Sequence, residues 1–142
     1  MTTRTARPPA PPTSPVLQAV RELAREQPVP LTVRGTCMAP VHADGSGVEI
    51  VPARVYWPGD VVAFQGPDGR LRLHRFLGYR WSAGRLAGVT RGDGCPFHDP
   101  PIPLPGLLGR VPGPVPFRQR LRAALALGGI VVRRLVRPAR PA

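Results

Sequence analysis

Cys37 is the residue with the clearest capacity for chemistry. It stands in Val33-Arg34-Gly35-Thr36-Cys37-Met38-Ala39-Pro40, between a short β-like run and a proline, with a glycine two residues before it. A tight turn of that kind holds a side chain outward and offers backbone N–H groups to an oxyanion developing on a carbonyl. A thiol titrates at about 8.5 when nothing perturbs it, so a fraction is already thiolate near neutrality, and more beside a cation. The competing reading is plain, because a single cysteine more often serves as a small buried apolar residue. A second cysteine lies in Gly94-Cys95-Pro96-Phe97-His98-Asp99. Cys95 and His98 have the spacing of half a metal site, but no second pair of ligands follows nearby, and no metal is expected. The two cysteines are too few for a disulfide-built scaffold, so free thiols are expected, while contact between Cys37 and Cys95 would allow a redox lock on the nucleophile. All 20 basic residues are arginine, so no lysine is present to act as a general base.

Short β-like runs bounded by Gly, Pro and Asp carry these residues: Leu31–Arg34, Val48–Val51, Asp60–Gln65, Leu71–Tyr79, Leu86–Arg91 and Leu107–Val111. Pro58-Gly59-Asp60 turns the chain into one strand, and Pro67-Asp68-Gly69 predicts a hairpin between two others. The spacing predicts a sheet-rich barrel or sandwich. Before the first strand, Val16, Leu17, Val20, Leu23 and Ala24 share one helical face, which predicts a helix over 15–27 with Ser14 as its cap and Pro15 in its first turn. Pro28 and Pro30 end it. After Pro116, arginines flank the apolar stretch Ala123–Val132, which is too short to cross a bilayer. A basic amphipathic helix there would lie on an anionic membrane surface, dock on a partner, or pack on its own domain with solvated arginines; Gly128 and Gly129 weaken it in every case.

Length and composition bound the rest. At 142 residues the chain suits one domain with a small core. Its 21 prolines and 16 glycines exceed a quarter of the chain, a level that implies disorder or dense turns. The expected organisation is a disordered proline-rich arm over 1–14, a β domain with a leading helix over 15–112, and a basic amphipathic segment over 113–142. The N-terminal stretch lacks the apolar region of a secretory signal, and no run of about 18 uncharged apolar residues occurs, so a cytoplasmic protein is expected. A net charge of +12 attracts phosphate at long range, yet with 6% aromatic residues and no helix-turn-helix pattern, no specific nucleic-acid partner is expected.

Downstream of Cys37, several blocks recur in order: Pro58-Gly59-Asp60-Val61-Val62-Ala63-Phe64, then Leu73-His74-Arg75-Phe76, then Thr90-Arg91-Gly92-Asp93-Gly94 followed by Asp99-Pro100-Pro101, and Leu108-Gly109-Arg110-Val111. Over roughly residues 31–111 this order resembles the signal peptidase I and LexA-like peptidases. Those chains read Gly-x-Ser-Met-x-Pro, Gly-Asp-apolar-apolar-x-Phe, Lys-Arg or His-Arg, Gly-Asp, and a closing apolar-Gly-basic-Val. Each block alone is common; their order carries the resemblance.

The resemblance implies a compact, mainly β fold of the LexA and signal-peptidase kind, with a short N-terminal helix and a C-terminal amphipathic helix. It implies that Cys37 occupies the place of the nucleophilic serine, that Met38 follows it as in the family, and that His74 is the general base. Histidine at that place marks the archaeal, endoplasmic-reticulum and some sporulation-type enzymes, the branch that a chain without lysine can fit. Asp93 is the first choice for the acid that orients the imidazole, by its position in Gly92-Asp93, and Asp99 the second. Thr36 and the Cys37 backbone N–H would face the oxyanion, and Met38 joins Thr36 as a substrate-binding or oxyanion candidate. His42 and His98 match no family position and are expected in exposed loops. The implied activity is hydrolysis of a peptide bond, in a leader or propeptide, through Cys37 and His74 without a cofactor. The implied partner is a peptide or precursor protein, with peripheral membrane contact through the C-terminal segment. The alternative is an inactive family member that binds a peptide or protein without cutting it.

Overall fold

The computed structural model describes residues 15–136; the proline-rich arm and the Ser14 cap lie outside them. Helix α1 (Pro15–Glu26) forms where the sequence predicts it and buries Leu17 and Ala24. Strands β1 (Val29–Thr32) and β2 (Gly47–Ile50) pair antiparallel as a two-stranded ribbon. Five strands make the main sheet: β3 (Val61–Gln65), β4 (Leu71–Ser82), β5 (Arg85–Arg91), β6 (Ile102–Pro103) and β7 (Leu107–Arg110), in the order β6-β5-β4-β3-β7 and antiparallel throughout. A single 3-10 turn, Leu104–Gly106, separates β6 from β7, and helix α2 (Phe117–Val136) closes the described chain. The fold is therefore mainly β with a helix at each end.

The two sheets do not close into a barrel. Among the described residues one backbone bridge joins ribbon and main sheet, Val51 with Arg110, where the two residues exchange hydrogen bonds of 2.9 and 3.0 Å. Gly109 permits that approach, because a Cβ there would lie 2.5 Å from both Ile50 Cγ2 and the Val51 carbonyl oxygen. Under the junction, Ile50, Ala63 and Leu108 form a buried cluster that Val20 of α1, Leu31, Leu71 and Leu73 adjoin. Residues of the ribbon and of β4 line an open cleft between them. Closure would need a hydrogen-bonded partner for the outer edge of β1, which pairs with β2 alone.

Helix α2 belongs to the folded domain rather than to a separate tail. Ala123, Ala126, Leu127 and Ile130 recur on one face and pack over Leu77 of β4 and Val89 of β5. Arg120 ties the first turn down, reaching Asp60 Oδ1 at 3.1 Å and the Pro58 carbonyl at 3.2 Å. A second stripe, Phe117, Leu121, Leu125, Val132 and Leu135, points away from the sheet and is exposed, from 48% at Leu121 to 81% at Leu135. At 100° per residue the stripe lies within one sector of the helix, with Arg118 and Arg122 beside it.

Candidate active site

Three segments meet at the open end of the cleft. The first is the loop after β1, where the Ala39 N–H donates to the Thr36 carbonyl at 3.1 Å and the His42 N–H to that of Met38 at 2.8 Å. These turns leave Cys37 exposed and drive the neighbouring Met38 side chain into the interior, at 2% exposure. Met38 thus anchors the loop and forms part of the cleft wall, while Thr36 is exposed beside the nucleophile candidate. The second segment is β4, which carries His74, 5% exposed, with the Phe64 ring edge-on at 5.5 Å. The third is the loop after β5, Gly92–Asp99, held to the first by a 2.9 Å hydrogen bond from the Gly94 N–H to the Cys37 carbonyl. Gly92 has no room for a side chain: a Cβ would stand 2.7 Å from Cys95 Sγ and 3.1 Å from Cys37 Cβ.

His74 Nδ1 lies 2.5 Å from Asp99 Oδ2, and the same carboxylate oxygen accepts a 2.7 Å hydrogen bond from the Thr90 hydroxyl. Thr90 is fully buried on β5, and its carbonyl accepts the Asp99 N–H at 2.8 Å, so side chain and backbone of Asp99 are both held by one residue. With Nδ1 taken by Asp99, Nε2 is the nitrogen left for the thiol. Cys37 Sγ, a His74 ring nitrogen and Cys95 Sγ all lie within 4.8 Å of one another. The arrangement is a Cys–His–Asp relay with a threonine behind it.

The electrostatics follow from these contacts. Hydrogen bonds from His74 and then Cys95 hold the Cys37 thiol below its usual range, against a small burial cost. Burial pulls His74 down, but its hydrogen bonds with Asp99 and Cys37 outweigh that and leave it above the ordinary imidazole value. Burial likewise pushes Asp99 up, and the bonds from His74 and Thr90 reverse the sign and leave it lowered. Cys95 moves opposite to Cys37: burial and its hydrogen bond to the Cys37 sulfur push it up. Of the two thiols, Cys37 is therefore the one prepared to be a thiolate.

Asp93, the first choice from sequence for orienting the imidazole, does not do so. It binds Arg75 through two hydrogen bonds, 3.0 Å from Nε and 2.6 Å from Nη2, while Arg75 Nη1 donates to the Gly59 carbonyl at 2.8 Å. The reason is direct: Arg75 is 6% exposed, and a buried guanidinium needs a carboxylate. Adjacent residues on β4 point to opposite faces, so His74 and Arg75 each require an acid, and Asp99 and Asp93 are divided between them. The Cys95–His98 half-site is not formed either, for the sulfur of Cys95 turns to Cys37 and His74 instead. His42 and His98 are half-buried, not exposed. Thr90 carried no signal of its own in the sequence beyond its place one residue before the Arg91-Gly92-Asp93 turn.

The relay opens on a cleft of about 430 Å³ whose two walls are Leu31–Arg34 and Arg70–His74. Both walls run along strand edges that have no pairing partner among the described residues. The register of β4 with β5 begins at Arg75, which leaves Leu71–His74 bonded on the β3 side alone. Val33 spends its backbone groups on Ser46 and Gly45, so the alternation of a strand turns those of Thr32 and Arg34 toward the cleft. Ala63, Leu71, Leu73, Val48 and Met38 give the cleft an apolar floor, and Arg34, Arg70 and Arg72 give it a basic rim. No family model, curated protein or solved structure matches the chain. Among the described residues no helix is long and apolar enough to cross a membrane.

Proposed function

We propose that this protein is a thiol endopeptidase of the signal-peptidase and LexA-like kind, with Cys37 as nucleophile, His74 as acid and base, and Asp99 as the residue that orients His74. The observation that supports this most is the position of the Cys–His–Asp relay between two unpartnered strand edges. An extended peptide entering there would pair with one or both edges, the β-augmentation mode, and its scissile carbonyl would come to the Cys37 turn. The thiolate attacks that carbon, and the oxyanion is met by the backbone N–H of Cys37, with Thr36 beside it. The imidazolium proton passes to the leaving amine, whose bond to carbon breaks and leaves a thioester. A water molecule, deprotonated by His74, then attacks the thioester, releasing the acid product and returning the thiolate. The apolar floor suits apolar side chains next to the cut.

Processing of a leader or propeptide is the proposed task, and the exposed apolar stripe of α2, with Arg118 and Arg122 at its side, is the proposed contact with an anionic membrane surface. The test is incubation of wild type and Cys37→Ala with an extended-peptide library, followed by mass spectrometry. New termini that appear only with wild type support the proposal. Peptides that bind both proteins equally and are never cut would overturn it in favour of a binding module.

A further inference from the structure

Cys95 is the member of the cluster that makes or breaks no bond in the proposed hydrolysis. It comes from a different segment than Cys37 and His74, yet its sulfur lies within 4.8 Å of the ligand atoms of both. We propose that Cys37, His74 and Cys95 form a three-ligand site for a thiophilic divalent cation of the Zn²⁺ type, with the fourth position open to the cleft. In a tetrahedral zinc site, bonds of about 2.0–2.3 Å put neighbouring ligand atoms roughly 3.5–3.8 Å apart. The upper limit of 4.8 Å on all three separations is about an ångström above that range, and both sulfurs sit on loops, so small loop movements would close the site.

Three further features fit a metal ion. His74 presents Nε2 to the sulfurs because Asp99, backed by Thr90, takes Nδ1, and a carboxylate on the far nitrogen is the usual support of a metal-binding imidazole. Gly92 lets the Cys95 sulfur and the Cys37 Cβ approach over bare backbone, where a side chain would strike Cys95. Once binding has displaced their protons, two thiolates and a neutral imidazole would carry two negative charges, which a divalent cation cancels. Asp93 is held by Arg75 and does not compete, so the described residues offer three ligands and leave the fourth place to water or a bound group. Binding forms two metal–sulfur bonds and one metal–nitrogen bond, and any protons on the two thiols and on Nε2 pass to solvent. A Cys37 sulfur bound in this way is no longer a free nucleophile, so the same ion would switch its reactivity off. The inference rests on the cluster alone and does not require that the protein cut peptides.

The experiment uses the full chain, free of any affinity tag, reduced and stripped of metal, and titrated with Co²⁺ and then Zn²⁺. Thiolate-to-cobalt charge-transfer absorption with the visible bands of a tetrahedral site, saturating at one equivalent and bleached by Zn²⁺, is expected. Cys95→Ser should weaken Zn²⁺ binding at least tenfold in competition with a chromophoric chelator, and Asp99→Asn should weaken it by about 10–100-fold. His98→Ala should leave the affinity as it is. In parallel, one equivalent of Zn²⁺ should protect Cys37 of wild type from iodoacetamide and fail to protect it in Cys95→Ser. Circular dichroism establishes that each variant is folded. A folded, reduced wild type without the charge-transfer absorption, or a site that survives Cys95→Ser, would overturn the proposal. Neither readout involves peptide cleavage, so the fate of the peptidase reading is separate.

Discussion

The two halves of β4 solve different problems. From Phe76 to Ser82 the strand is paired on its β5 side and covered by α2, and the contacts with α2 are apolar: Leu77 against Ala123, and Gly78 so close to Leu127 that a Cβ would come 2.4 Å from Cδ2. From Leu71 to Arg75 the strand lacks the β5 partner until its last residue, and two adjacent polar side chains, His74 and Arg75, are both buried. Each of the two needs an acid, and both acids arrive on one loop, Gly92–Asp99. One half of the strand is held by contact area; the other is held by a small number of directional bonds around an open edge. The half with fewer pairing partners is the half that has chemistry available to it.

Substitutions should separate these halves cleanly. The largest effect is expected from Cys37→Ala, which should abolish cleavage and alkylation at that site while leaving the thermal midpoint nearly unchanged, because Cys37 is exposed. A fall of the unfolding midpoint in step with activity would mean that Cys37 is a structural residue. Next comes Asp99→Asn. Loss of the carboxylate withdraws support from the imidazolium, and the imidazolium in turn supports the thiolate. The midpoint of the pH dependence of Cys37 alkylation, measured with a chelator present, should therefore rise toward that of a free thiol, and cleavage at neutral pH should fall by about 10²–10⁴-fold. Asp93→Asn should leave that midpoint in place, and an equal rise in both variants would erase the distinction between the two acids.

Arg75→Met should show the reverse balance. It leaves Asp93 without its partner beside a buried site and should cost about 3 kcal/mol in urea unfolding, since Arg75 is 8% and Asp93 23% exposed at the side chain. On the apolar half, Leu127→Ala should cost roughly 1–2 kcal/mol, less than a fully buried leucine, with no change in the alkylation midpoint. Smallest in stability is Leu121→Gln with Leu125→Gln on the exposed stripe, expected within about 0.5 kcal/mol of wild type. The same pair should abolish sedimentation with anionic vesicles if α2 is a membrane contact, and retained sedimentation would remove that role.

The sequence made most of the strands legible and left their ends obscure for local reasons. The Pro67-Asp68-Gly69 hairpin forms between β3 and β4 as its turn residues require. The hairpin between β4 and β5 went unmarked, because its positive-φ residues are Ala83 and Gly84, at 51° and 75°, and alanine in that place lacks the turn signature of asparagine or aspartate. The predicted end of β4 at Tyr79 therefore fell short of Ser82. β1 begins at Val29 and passes through Pro30, which reads as a strand breaker but is tolerated on an edge strand. β6 is two residues inside a proline cluster and had no periodicity to show. At the site, Cys37 and His74 stood out by type and by resemblance, whereas the choice between Asp93 and Asp99 depended on where Arg75 was buried. Burial is a property of the folded sheet, and no spacing in the chain encodes it. The barrel half of the expectation failed for the same reason, since closure depends on edges meeting, and these meet at one bridge.

That single backbone bridge bears on the proposed cleavage. With ribbon and main sheet joined by backbone hydrogen bonds at one point, a visiting strand would supply a further rung between them, and the guest itself would help to hold the host together. Were the guest cut at the Cys37 turn, each fragment would retain only part of the ladder that held the whole, so severing the chain would also loosen its grip. Departure of the products would then follow from the shape of the gap.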